Sequence, residues 1–284
     1  MRLIVLLIAL GIPGLAETTM VGGKRVFYEM KGTGPNTILF IHGWACDHSF
    51  FEAQVAEFSR THRVITVDLP GHGQSESMSP LRMQTFVDAI EGVRVVTKSN
   101  RWILAGHSLG AVVAREYARL YANRAQAMVL LDGAIYQLPP GEADRNRWAE
   151  NITAMAKRFG PDNEKQVRER NISVFLSNMY TDATPRELRM SILRKVLATS
   201  PETAEGAMMS LADLKLWREE SMNLPVLALR AGRQEPPGES SYLKQLFPQL
   251  QYKFLSGLSH FLMLEQPVVV NAEIRSFLKG RKLE

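Results

Sequence analysis

The sequence predicts an α/β protein with a mostly parallel central sheet flanked by helices, and three observations predict it. Short, continuous apolar runs recur along the chain, each ending in a polar turn that carries glycine. Segments with apolar residues three and four apart fill the intervals between them. The two patterns alternate, which is the order of strand, crossover helix and parallel strand.

Taken in order, KRVFYEM (24–30) alternates as a half-exposed strand does, whereas NTILFIHG (36–43) is apolar throughout and ends in a turn. The second pattern is that of a strand covered on both faces. RVITVDLPGHG (63–73), RWILAGHS (101–108), QAMVLLDG (126–133), LPVLALRAG (224–232) and QYKFLSG (251–257) repeat it. Ser79 and Pro80 offer a helix start, with Met83, Phe86, Ile90 and Val93 following at helical spacing. Residues 109–121 and 268–277 read as helices too.

The alternation lapses over residues 136–222, where only helical periods remain. Trp148, Ile152, Met155 and Phe159 share one face, and Val167, Val174 and Met179 suggest another. Thr184, Pro185 and Glu187 resemble a capping box ahead of Leu188, Ile192 and Val196. Ser200 and Pro201 open a last helix expected to run through Trp217. This segment is expected to be an all-helical cap inserted after the sixth strand, with residues 17–135 and 223–284 forming the core. Its methionines at 155, 179, 190, 208, 209 and 222 read first as ordinary core, and second as the lining of an adaptable apolar pocket.

Composition narrows the function classes. The chain has 284 residues, 45 % of them hydrophobic, which allows a substantial core. The net charge of +5 comes from dispersed Lys and Arg, so no nucleic-acid-binding stripe is indicated. Met1 and Arg2 precede the apolar run LIVLLIAL, and Gly14 and Ala16 are small residues suited to a cut after Ala16. A signal peptide over 1–16 and export, periplasmic or secreted, are therefore expected. The run is too short to span a bilayer core of roughly 30 Å, so no stable membrane span is expected. Cys46 is the only cysteine, which excludes an internal disulfide, and it reads as a buried structural residue.

The most informative stretch is GHSLG, residues 106–110, placed between an apolar strand and a helix pattern. A serine on so sharp a strand-to-helix turn needs neighbours without side chains, and Gly106 and Gly110 supply them. The turn lifts the Ser108 hydroxyl from the sheet end, and the helix start aims amides, including that of Leu109, at the same place. Ser108 is thus the candidate nucleophile.

A serine nucleophile needs a base. Of the six histidines, His260 follows a late strand and a glycine-bearing loop, which suits it to hang over the carboxyl end of the sheet. His42 and His72 lie in turns and read as structural, His48 and His62 carry no further signal, and His107 is expected to point away from its neighbour in the elbow. The base in turn needs an orienting carboxylate. Glu235, braced by Pro236 and Pro237 just past a strand, is preferred; Asp132, ending VLLD, is the alternative. Asp68 reads as a turn acid.

Together FIHGW (40–44), VDLPGHGQS (67–75), GHSLG, GRQEP (232–236) and SHFLMLEQP (259–267) make the chain resemble the α/β-hydrolase fold superfamily, in its lid-bearing bacterial esterase-like group. The resemblance covers nearly everything after residue 24. It implies the chain order nucleophile, acid, histidine, an aspartate where this chain has Glu235, and a second oxyanion amide from Trp44 after the HG pair. The activity it implies is hydrolysis of a small, ester-like substrate without a cofactor. Lactonase, amidase, carbon–carbon bond hydrolase and perhydrolase chemistry would use the same residues, and a non-catalytic small-ligand binder is the remaining alternative. Dehalogenases and epoxide hydrolases of this fold require aspartate at the nucleophile, which Ser108 argues against. No metal-ligand spacing or dinucleotide fingerprint is present.

Overall fold

A computed structural model describes residues 15–284. The strands are β1 (Leu15–Val21), β2 (Lys24–Lys31), β3 (Thr37–Ile41), β4 (Arg63–Val67), β5 (Trp102–His107), β6 (Ala125–Leu131), β7 (Val226–Gly232) and β8 (Leu250–Ser256). They form one eight-stranded sheet in the order β1-β2-β4-β3-β5-β6-β7-β8. β1 pairs β2, and β2 pairs β4, antiparallel; every other pair is parallel. All of β3 and β5 is buried, as their unbroken apolar sequences require.

β1 was not expected. Gly22 and Gly23, at φ 55° and 77°, make the two-residue turn that folds it onto β2. The expected signal peptide lies outside the described residues up to residue 14, and its last two residues, Leu15 and Ala16, pair with Met30 and Glu29.

The helices are α1 (Glu52–Phe58), α2 (Met83–Val96), α3 (Leu109–Leu120), α4 (Glu142–Lys157), α5 (Lys165–Ser177), α6 (Arg186–Ala198), α7 (Pro201–Met209), α8 (Glu239–Leu246), α9 (Leu262–Glu265) and α10 (Pro267–Gly280). α3 packs on β5 and β6 and against α2, while α1 packs with α9 and α10. α2 begins at Met83, later than Ser79 and Pro80 suggested. The Thr85 hydroxyl donates to the Pro80 carbonyl at 3.1 Å, which holds residues 80–82 as a lead-in rather than a first turn.

α4 to α7 form the helical segment between β6 and β7. On α5 the buried positions are Ile172 and Leu176, and Val174 is exposed, so the core face lies beside the one expected. Thr184 does not cap α6, because its hydroxyl accepts the Thr181 N–H at 3.0 Å instead. Ser200 does cap α7, accepting from the Thr203 N–H at 3.2 Å. That helix ends at Met209, and two 3₁₀ turns carry the chain to Trp217. Among the described residues, no helix is long and apolar enough to cross a membrane.

Candidate active site

The elbow takes its shape from contacts that glycine alone permits. Ser108 stands between β5 and α3 at φ 51°, in the left-handed region that costs an ordinary side chain energy. A Cβ on Gly106 would lie 2.3 Å from the Gly110 carbonyl oxygen, and one on Gly110 would lie 2.1 Å from that of Ile41 in β3. Both glycines therefore let backbone meet backbone, which brings the elbow against the neighbouring strand. A Cβ on Gly43 would lie 3.2 Å from the Ser108 Cβ, so the loop after β3 runs beside the serine.

That loop carries Trp44. Among the described residues, the main-chain N–H groups of Trp44 and Leu109 make no backbone hydrogen bond, and both residues line the same cavity as Ser108. His42 anchors the loop: its Nε2 accepts the Leu69 N–H at 2.9 Å, which leaves Nδ1–H to donate to the Gly43 carbonyl at 2.7 Å. Complete burial lowers its pKa and favours this neutral form. The Trp44 indole N–H donates to the Ala204 carbonyl of α7 at 2.7 Å, tying the loop to the cap.

His260 lies in the loop between β8 and α9 and faces the same cavity as Ser108. Its Nδ1 donates to Asp132 Oδ2. Asp132, the first residue past β6, adopts φ 44° and is 6 % exposed. Its Oδ1 accepts the Ala231 N–H at 2.9 Å and lies 3.1 Å from the Arg230 guanidinium. Burial alone would raise its pKa, but His260, Arg230 and the Ala231 amide hold the carboxyl below its usual range.

The acid beside the histidine is therefore Asp132 and not the preferred Glu235. Glu235 is exposed and, among the described residues, makes no hydrogen bond or ion pair. The loop after β7 leaves its side chain in solvent, whereas Asp132 at the end of β6 is buried against the histidine. The sequence signal for Asp132 was an Asp-Gly pair directly after a buried strand, since aspartate tolerates the left-handed turn that such an exit requires.

His107 has a role that the sequence did not show: its ring lies 4.6 Å from that of His260, and its Nε2 donates to the His260 carbonyl at 2.9 Å. Burial, followed by the proximity of His260, drops its pKa to about 3 and keeps it neutral. Asp68 is the expected turn acid, accepting the His48 N–H at 2.7 Å and the Gln74 N–H at 2.8 Å. His72 is buried and structural, donating to the Pro70 carbonyl at 3.1 Å. Cys46 is buried as expected, and desolvation pushes its thiol far above the usual range.

The shared cavity is about 150 Å³ and mostly apolar, walled by Trp44, Phe175, Leu211 and three methionines, Met155, Met179 and Met208. For these three, the pocket-lining alternative fits better than ordinary core. The Trp44 and Phe175 rings meet at near right angles with centroids 5.3 Å apart, whereas the methionine side chains are unbranched and adaptable. Among the described residues, no cluster of three or more metal-ligating side chains occurs.

A family model for alpha/beta hydrolases matches residues 38–273, a span that includes every residue of this site. The chain belongs to the alpha/beta hydrolase family. This hydrolase is similar to the AB hydrolase superfamily protein YisY of Bacillus subtilis, with 28 % identity over 260 residues covering 89 % of this chain and 94 % of that one. It is also similar to the pimeloyl-[acyl-carrier protein] methyl ester esterase of Nitrosospira multiformis, with 23 % identity across 91 % of this chain and all of that one. A thermophilic esterase structure from Thermogutta terrifontis superposes with a TM-score of 0.78 at 24 % identity, covering 95 % and 99 % of the two chains. At that identity the likeness shows the fold of the hydrolase.

Proposed function

We propose that this hydrolase cleaves a carboxylic ester of small or medium size through an acyl-enzyme on Ser108. The Ser108 hydroxyl attacks the ester carbonyl as His260 Nε2 takes its proton, and the carbonyl oxygen, now negative, is held by the Trp44 and Leu109 amides. The tetrahedral intermediate collapses, its C–O bond breaks, and the alcohol leaves with the proton from His260. Water then repeats the sequence, giving up a proton to His260 and releasing the acid and free Ser108. Asp132 keeps His260 in the tautomer that presents Nε2 as base and stabilises the imidazolium.

The observation that carries this reading is the bond from Asp132 to a histidine that shares one cavity with the elbow serine. The cavity's size and apolar walls suit a short acyl chain. The test is hydrolysis of p-nitrophenyl esters of graded chain length by the wild-type protein and Ser108→Ala. Activity highest on short chains and reduced to background in the variant supports the proposal; full activity in Ser108→Ala ends it.

Export is proposed with it. A cut after Ala16 would leave Glu17, whose carboxylate accepts the Tyr28 hydroxyl at 2.6 Å, so the remainder of β1 keeps a side-chain tie to β2. N-terminal sequencing of the mature protein that begins at Glu17 would support it, and a sequence beginning at Met1 would refute it.

A further inference from the structure

The loop that carries His260 is held by the cap as well as by the core. The His260 N–H donates to the carbonyl of Met179, in the segment joining α5 to α6, at 2.9 Å. Two residues on, the Thr181 hydroxyl donates to the Gly257 carbonyl at 2.9 Å, three positions before the histidine. On the other side the Ser259 N–H donates to Glu265 at 2.9 Å, and Thr184 reaches the same carboxylate oxygen at 3.4 Å. The two cap threonines are buried and joined to each other, since the Thr181 N–H donates to the Thr184 hydroxyl at 3.0 Å. Arg189 of α6 fastens the segment from behind, donating to the carbonyls of Thr181 at 2.6 Å and Thr184 at 2.9 Å.

We propose that Thr181 and Thr184 are positioning residues for His260, so that docking of the cap and alignment of the base are one event. This rests on the assignment of His260 as base. The physical ground is that the His260 main chain has two polar groups and each has one holder: the cap takes the N–H, and His107 of the elbow takes the carbonyl. Core contacts alone fix one of the two. With the cap displaced, the histidine keeps its carbonyl tie to the elbow and the Gly257 N–H keeps its bond to the Gly232 carbonyl at 2.8 Å, but the His260 N–H and the Gly257 carbonyl lose their holders. A shift of about 1 Å in a reacting group can cost about a hundredfold in rate. Neither threonine lines the cavity that contains Ser108, so each acts on the reaction through what it holds, the histidine loop or the Met179 wall, and a change in kcat rather than KM marks the histidine.

The test compares Thr181→Val, Thr184→Val and Thr181→Ser with wild type for kcat and KM on a short p-nitrophenyl ester, for the rate of labelling by a fluorophosphonate, and for Tm. A valine keeps the shape of threonine and removes its hydroxyl, while serine restores the hydroxyl. The expected result is a kcat lower by about tenfold or more in Thr181→Val, a parallel fall in labelling rate, KM within about twofold, and recovery in Thr181→Ser. If Thr181→Val is too unstable to assay, Thr184→Val carries the same test. Wild-type kcat in the valine variants overturns the proposal, as does a rise in KM with kcat unchanged, which marks a cap that only roofs the pocket. Ser108→Ala is measured alongside: if it is inactive while the valine variants match wild type, the threonine proposal alone fails. If it is fully active, the assignment of the base falls and takes this proposal with it.

Discussion

His260 donates its Nδ1 proton to Asp132 across the carboxyl end of the sheet, joining residues from opposite sides of the cap insertion. The second carboxylate oxygen is occupied by Ala231 and Arg230, so the acid is fixed in direction as well as in charge. Replacing it by Asn places an amide where only an acceptor fits and favours the wrong imidazole tautomer. Asp132→Asn is expected to lose about 10⁴-fold in kcat on an ester, the scale seen when a triad acid is replaced. Glu235→Gln is expected to match wild type. The reverse pattern in steady-state kinetics would restore Glu235 as the acid.

The elbow glycines give a second expectation. An added Cβ at either Gly106 or Gly110 would fall well inside contact distance of main-chain oxygen, which cannot move without shifting α3 or β3. Gly106→Ala and Gly110→Ala are therefore expected to destabilise the fold by about 4 kcal/mol or more, in the severe range for single substitutions. Denaturant unfolding of soluble variants at wild-type stability would contradict the packing described.

The His48–Asp68 pair should leave a pH signature. Burial alone would lower the pKa of His48, but the hydrogen bond and charge of Asp68 raise it above 6.5. For Asp68 burial alone would raise the pKa, yet His48 and its other partners lower it below 3.8. The histidine contribution is thus complete below 6.5 and is lost as pH rises through the higher folded value. The aspartate contribution is complete above 3.8 and is lost as pH falls through the lower one. Urea unfolding is expected to show the advantage of wild type over His48→Asn shrinking as pH increases past neutrality. An advantage that grows with pH would refute the ion pair.

Trp44 links the loop beside Ser108 to the cap through one buried hydrogen bond. Trp44→Phe keeps an aromatic wall and removes the indole bond, while the Ala204 carbonyl keeps its place in the ladder of α7, so the expected loss is that of one hydrogen bond, about 0.5–1.5 kcal/mol. Chemical denaturation is expected to detect that loss, and a variant as stable as wild type would show that the bond is replaced.

Much of the fold could be read from the chain because its central strands are covered on both faces and so are written as unbroken apolar runs. β1 could not, because its first residues lie at the end of an apolar leader and read as a processing site. Ser108 was legible because its requirement is local: two glycines and a strand–helix junction within five residues. Asp132 was harder, since its partner lies 128 positions away and only folding shows that β6 and β7 are neighbours. The proline brace of Glu235 was a real local signal, but stiffness does not reveal direction. The cavity methionines share their helical spacing with ordinary core residues, and only the position of the cap over the sheet separates the two roles. The ties from Met179 and Thr181 to the histidine loop join a cap connection to a core loop, and no sequence pattern records such a pair.

The most direct measurement is to treat the protein with a fluorophosphonate and locate the adduct by peptide mass mapping, in wild type and in His260→Ala. The expected result is a single adduct on Ser108 that forms rapidly in wild type and is nearly absent without the histidine. An adduct on another residue, or labelling of Ser108 at the same rate in His260→Ala, would contradict the claim that this histidine activates this serine.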